Sequence, residues 1–229
     1  MESFKAVFDQ KLASSELPHS VQQIVGAHWN QFLERHPSFD LTTDPTFINE
    51  LIYCWAGSDF SAQQCIRYPE WLELLYTDHD NLPVMSISHG DRLDRILKKI
   101  TSEEDLNKAL RLYRNKEILR IIWLDLNRKV PMSHTTEDMS ALADTCIDRA
   151  LDWLYRDTCQ IIGTPYGTNI PEDEPIPQKM IVLGMGKLGA RDLNLSSDID
   201  LMFTFPCQGE TRGSKKAVTN QEFFIRLGQ

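Results

Sequence analysis

Two carboxylates, Asp198 and Asp200, flank Ile199 a short distance after the run Gly184-Met185-Gly186-Lys187-Leu188-Gly189. On one strand, positions i and i+2 share a face, with Cα atoms about 6.6 Å apart at ~3.3 Å per residue. Both carboxylates can then converge on one or two hard cations, which prefer oxygen ligands. Two such cations about 3.5–4 Å apart stabilise the attacking and the leaving oxygen of an in-line phosphoryl displacement. Ile199 and Leu201 are expected to point the other way, into a core. Upstream, a glycine turn lets backbone N–H groups approach a phosphate closely, and Ser196 or Ser197 offers a hydroxyl donor. An Asp-x-Asp on its own is common and more often structural. The combination carries the weight: strand, glycine turn, serine pair, then Asp-x-Asp opening a second strand.

The same glycines spell G-x-G-x-x-G after an apolar run, the fingerprint of a dinucleotide fold. That reading fails on spacing. It needs a full helix after the glycines, yet Asn194, Ser196 and Ser197 are turn formers and Asp198 follows at once. No acid stands near Thr204, where a ribose-binding residue belongs. A P-loop fails too, because Ala190-Arg191 stands where Lys-Ser/Thr is required.

The elements that must position these residues are β-like. Lys179–Gly184 is a short apolar run, and Asp198–Phe205 alternates at first and is then mostly apolar. Thr219 and Glu222 have capping-box spacing for a final helix with Phe223, Phe224 and Leu227. The Gln229 terminus falls in mid-helix, which reads as a cut. Before Gly163 the pattern is helical. Val21, Ile24, Val25, His28, Trp29 and Phe32 recur near the 3.6-residue period, and Phe47, Leu51 and Cys54 continue it. Pro69 suits a first helical turn, and Asn81-Leu82-Pro83 reads as loop. Thr101 and Glu104 are expected to cap a long helix with Arg111, Arg114, Lys116 and Arg120 on its exposed side, ended by Pro131. Thr135 and Asp138 are expected to open the next, with a stripe from Met139 to Leu154. These arginines, with Arg149 and Arg156, read as a salt-bridged, solvated face rather than a phosphate site, since Glu117, Asp148, Asp152 and Asp157 are interleaved with them. Residues 163–177 carry four prolines and two glycines and mark a linker or boundary.

Composition narrows the class. The 229 residues are 41% hydrophobic and 25% charged, an ordinary globular balance. Lys plus Arg is 24 against 33 for Asp plus Glu, a formal charge of −9, which argues against a nucleic-acid partner. Cys54, Cys65, Cys146, Cys159 and Cys207 form no C-x-x-C pair and are expected to be reduced and mostly buried. No apolar run approaches the ~20 residues of a membrane helix, and the start is expected not to be a signal peptide. A cytoplasmic protein without a membrane partner is expected.

At the glycine turn and Asp-x-Asp the sequence resembles the nucleotidyltransferase superfamily. More closely, Gly184–Gly189 with Asn194-Leu195-Ser196-Ser197-Asp198-Ile199-Asp200-Leu201 is similar to the family of bacterial bifunctional glutamine synthetase adenylyltransferase/adenylyl-removing enzymes, which carry two such domains in tandem. Ser-Ser-Asp-Ile-Asp is similar to the N-terminal, deadenylylating copy; the other copy typically has Gly-Ser-Asp-Leu-Asp. Tyr68-Pro69-Glu70-Trp71-Leu72, Leu110–Arg114 and Ala150–Tyr155 are similar to segments of the family's helical N-terminal region, and Phe223–Gln229 to the helix after the Asp-x-Asp strand. Ala190 departs from the family, which usually has a second glycine there. The third carboxylate of the superfamily, within an Asp-x-Arg-Leu-Arg-Pro stretch, is not in this chain.

The resemblance implies an α+β, mainly α protein. Its parts would be a helical domain (1–163), a Pro/Gly/acidic linker (164–177), and the truncated first part of a polymerase-β-like nucleotidyltransferase domain (178–229). It implies a cytoplasmic enzyme regulating nitrogen metabolism that removes AMP from a tyrosine of glutamine synthetase by phosphorolysis, giving ADP. Asp198 and Asp200 would be catalytic and hold Mg²⁺. Gly186, Lys187, Gly189, Ser196 and Ser197 would contact nucleotide or phosphate, with Lys187 also able to serve only in a salt bridge. Implied partners are glutamine synthetase, the PII signalling protein, ATP/ADP and phosphate. Two alternatives stay open: another protein- or nucleotide-modifying nucleotidyltransferase, and a non-catalytic helical interaction module. The chain alone is expected to fold but to be inactive.

Overall fold

Helical periodicity becomes helices along most of the chain. A computed structural model describes residues 3–41, 44–77, 89–168 and 176–229. The helices are α1 (Phe4–Ala13), α2 (His19–Arg35), α3 (Pro45–Gly57), α4 (Asp59–Arg67), α5 (Pro69–Thr77), α6 (His89–Leu97), α7 (Glu103–Leu126) and α8 (Met132–Ile162). Then follow β1 (Thr164–Gly167), β2 (Ile181–Gly184), a single turn α9 (Gly186–Gly189), β3 (Leu201–Thr204), β4 (Gly209–Arg212) and α10 (Asn220–Leu227). The protein is α+β and mainly α, as expected. Asn81-Leu82-Pro83 and residues 169–175 lie outside the described residues. Among the described residues no helix is long and apolar enough to cross a membrane.

The chain divides into two compact units, one drawn from residues 1–88 and 111–139, the other from 89–110 and 140–229. The first is built on aromatic packing. Trp29 stacks on Phe8 at 4.2 Å between ring centroids and on Phe32 at 5.5 Å, and Phe47 meets Trp123 at 5.2 Å. Each such ring fully removed from water contributes about 1.5–3 kcal/mol. Cys54 and Cys65 are buried here as free thiols, and burial pushes the Cys54 thiol up to about 12. Cys146, Cys159 and Cys207 are also free but only half-buried.

Several sequence expectations shift in this unit and at its edges. Arg120 is not on an exposed side: it is 3% exposed, with Nε donating to Glu117 at 2.8 Å and Nη2 to Asp138 at 2.7 Å. The cap of α7 is Ser102, whose hydroxyl accepts from the Asp105 N–H at 3.2 Å, one residue after the expected pair Thr101 and Glu104. The helix ends at Leu126 rather than at Pro131, through Arg128 in the left-handed region (φ 53°). Pro131 instead precedes α8, its carbonyl accepting from the His134 N–H at 2.9 Å. Thr135 therefore lies inside α8 and donates to Asp125 at 2.9 Å, while Asp138 serves Arg120.

In the second unit two antiparallel pairs form, β1 with β4 and β2 with β3. Residues 164–167, the first four of the expected linker, thus make a strand. Phe223, Phe224, Leu227 and Met180 form a small core against Leu151, Leu154 and Tyr155 of α8. The Tyr155 hydroxyl donates to the Gln178 carbonyl at 2.9 Å, and burial raises its pKa.

α10 begins as expected: Thr219 Oγ1 accepts from the Glu222 N–H at 3.2 Å, and Glu222 accepts from the Thr219 N–H at 2.8 Å. Removing the cap by Thr219→Ala is expected to cost about 1 kcal/mol in urea unfolding. The Thr219 backbone N–H holds the Glu222 carboxyl below its ordinary value. A carboxyl depressed in the folded state stabilises above its unfolded pKa, and this is lost as pH falls through the folded value. The urea midpoint of the parent chain is therefore expected to fall more than that of Glu222→Gln as pH drops from 7 to well below the ordinary glutamate value of about 4.3.

Candidate functional site

The candidate residues sit on the turn between β2 and β3. In this antiparallel pair Ile181 faces Thr204 and Gly184 faces Leu201. One further bond, from the Met185 N–H to the Asp200 carbonyl at 2.9 Å, ties the entry of the glycine turn to the Asp-x-Asp segment. Asp198 and Asp200 thus precede the strand instead of lying on it. β3 begins at Leu201 because its partner leaves the ladder at Gly184 and turns, with Gly186 at φ +56°. Ile199 is 40% exposed, not in a core, and Leu201 is half-buried. Without strand alternation at residues 198–200, nothing directs Ile199 inward.

The glycines are required by backbone geometry. A Cβ on Gly189 would lie 2.4 Å from the Gly184 carbonyl oxygen, so only glycine lets the turn fold back on the end of β2. Gly186 adopts a left-handed conformation that glycine takes without strain, and its Cβ position opens to free space. Gly189→Ala is expected to displace the turn and cost about 1–3 kcal/mol, measured by thermal unfolding. Leu188 and Leu193, 4% and 3% exposed, anchor the segment. α8 holds it further: the Leu193 N–H donates to Ser140 Oγ at 3.3 Å, and Arg191 pairs with Asp144 at 2.9 Å.

Asn194 organises the serine pair, a role sequence reasoning did not assign beyond turn formation. Its Oδ1 accepts from the Ser196 N–H at 3.2 Å, from Ser196 Oγ at 3.4 Å and from Ser197 Oγ at 2.6 Å. Such bonding from an asparagine to the next residues is the Asx-turn tendency of that side chain. Both hydroxyls are directed at Asn194, so donating one to a phosphate means exchanging that bond.

Lys187, Asp198 and Asp200 are exposed, and among the described residues none of them has an ion-pair partner. Two oxygen-donor side chains on alternate residues match the chemistry of a hard divalent cation in part. Among the described residues no group of three or more His, Cys, Asp or Glu is placed to hold a metal.

The glutamate-ammonia ligase adenylyltransferase family model matches residues 48–229. The chain is 39% identical over 220 residues to the bifunctional glutamine synthetase adenylyltransferase/adenylyl-removing enzyme of Shewanella loihica, covering 96% of this chain and 22% of that protein. Identity to the protein of the same name from Pseudomonas aeruginosa is 47% over 175 residues, 76% of this chain and 17% of that one. For Hahella chejuensis it is 40% over 221 residues, 95% and 22%. The chain thus spans 17–22% of the length of these relatives. With the glycine turn and Asp-x-Asp inside the matched residues, the chain belongs to the glutamate-ammonia ligase adenylyltransferase family.

Proposed function

We propose that this chain is part of the deadenylylating half of such an enzyme and that residues 178–229 open its nucleotidyltransferase domain. The observation that carries the reading is the Met185–Asp200 backbone bond, which holds Asp-x-Asp beside a turn whose open side lies at Gly186. The reaction is phosphorolysis. An oxygen of hydrogen phosphate attacks the phosphorus of AMP esterified to a tyrosine of glutamine synthetase, and the bond from phosphorus to the tyrosine oxygen breaks. The phosphate proton ends on the released tyrosine, and the other product is ADP.

In this reading Asp198 and Asp200 hold a divalent cation, Mg²⁺, and are catalytic, together with a third carboxylate that these 229 residues do not supply. When bound, the cation neutralises charge developing on the reacting phosphoryl oxygens. Gly186 and Gly189 give backbone access to phosphates, Ser196 and Ser197 exchange their Asn194 bonds for phosphate oxygens, and Lys187 adds a positive charge. Glutamine synthetase, the PII signalling protein, ATP/ADP and phosphate are the proposed partners, and the cytoplasm the proposed site of action. The helical residues 1–163, the linker 164–177 and the domain from 178 are the proposed divisions of labour, and the 229 residues alone are proposed to be inactive.

The test offers the complete protein adenylylated glutamine synthetase beside another protein bearing adenylyl-tyrosine. Release of ADP from glutamine synthetase alone is expected. Equal release from both favours a different nucleotidyltransferase, and release from neither favours a non-catalytic module.

A further inference from the structure

α8 presents two chemically different faces within the second unit. At 3.6 residues per turn, Ser140 and Asp144, which hold the glycine loop, share a side with Leu151 and Tyr155, which pack toward α10. Arg149, Trp153 and Arg156 fall on the opposite side. There, with α6 and the residues just after it, they line a cavity of about 590 Å³. That volume is within the range of about 300–1,000 Å³ typical of small-ligand sites.

The lining is cationic in a chain whose net charge is −9. Arg149 is fixed in place: its Nε donates to Asp94 Oδ1 at 2.7 Å, and its Nη1 pairs with Asp148. Gly90 leaves it room, since a Cβ there would come within 3.0 Å of Arg149 Nη2. Arg95 and Lys98 have no ion-pair partner among the described residues, and Arg156 uses only Nε, on the Asp152 carbonyl at 3.0 Å. Among the described residues two carboxylates line the cavity; Asp94 is taken by Arg149, which leaves Asp91 against the three cations Arg95, Lys98 and Arg156. Half-buried Trp153 supplies a flat aromatic wall. Charge-assisted bonds from several cations suit phosphate oxygens, and an indole face suits a planar base.

We propose that this cavity binds a nucleoside polyphosphate, with phosphates on Arg95, Lys98 and Arg156 and the base against Trp153, separately from the Asp-x-Asp residues. The proposal stands independently of the deadenylylation reading. Calorimetric titration of ADP, and separately of tripolyphosphate, into the chain carrying Asp198→Asn and Asp200→Asn, with a chelator present, tests it. Saturable one-to-one ADP binding is expected. Arg95→Gln with Lys98→Gln, and Arg156→Gln alone, should each weaken it about tenfold or more. Trp153→Ala should weaken ADP but not tripolyphosphate. These side chains are exposed or half-buried, and circular dichroism checks that each variant is folded. Absence of ADP binding, or binding indifferent to the Arg95/Lys98 pair, would overturn the site. Tripolyphosphate binding as tight as ADP, with no effect of Trp153, would overturn the nucleoside assignment.

Discussion

Asp198→Asn and Asp200→Asn, each made singly in the complete protein, are expected to reduce deadenylylation about a thousandfold or more while leaving the fold intact. Each change keeps the side-chain volume and removes the charge that a hard cation seeks. Loss of one metal ligand at a phosphoryl-transfer centre costs several kcal/mol of transition-state stabilisation, and each 1.36 kcal/mol is about tenfold in rate. The fold should survive because both side chains are exposed and make no ion pair among the described residues. The measurement is ADP release from adenylylated glutamine synthetase, with thermal unfolding as the control. On the proposed reading, adenylylation by a second domain of the complete protein should persist. Rates within a few-fold of the parent would remove these aspartates from the metal site.

The largest stability effect is expected at Arg120→Met. Glu117 and Asp138 would be left as carboxylates whose side chains are only 3% and 1% exposed, without the guanidinium between them. Removing one partner of a buried ionic group costs about 3–5 kcal/mol, because the remaining charges cannot be solvated. Arg111→Ala, on an exposed position of the same helix, should stay within about 0.5 kcal/mol of the parent. Urea unfolding of the 229-residue chain measures both. A similar small change in each would mean that Arg120 lies on a solvated face after all.

Arg120 shows why part of the fold was not legible from the sequence. From Leu119 to Leu124 every residue of α7 is buried, so the helix has no outward face there and amphipathic spacing carries no information. The one-residue slip at the start of α7 has another cause. Thr101 and Ser102 are both hydroxyl residues with an acid three positions on, and the sequence pattern does not distinguish them. By contrast, Thr219 and Glu222 have no such competitor, and the cap of α10 is legible. β1 is not legible because Thr164-Pro165-Tyr166-Gly167 carries turn residues, and its pairing with Gly209–Arg212 is non-local. In the candidate site the glycines and the adjacency of the turn to Asp-x-Asp were legible, since close backbone approach demands those residue types. The placement of Asp198 and Asp200 before the strand was not, because strand ends depend on where the partner leaves the ladder. Nor was the grip of Asn194 on both serines, which only the folded turn reveals.

The proposed chemistry makes a specific demand on where a phosphorus atom goes. Adenylylated glutamine synthetase incubated with the complete protein, Mg²⁺ and isotopically labelled inorganic phosphate should release ADP carrying the label in its β-phosphate, one label per tyrosine freed. Release of unlabelled AMP would mean that water, not phosphate, attacks, and would contradict the phosphorolysis assigned to the domain that Asp198 and Asp200 open.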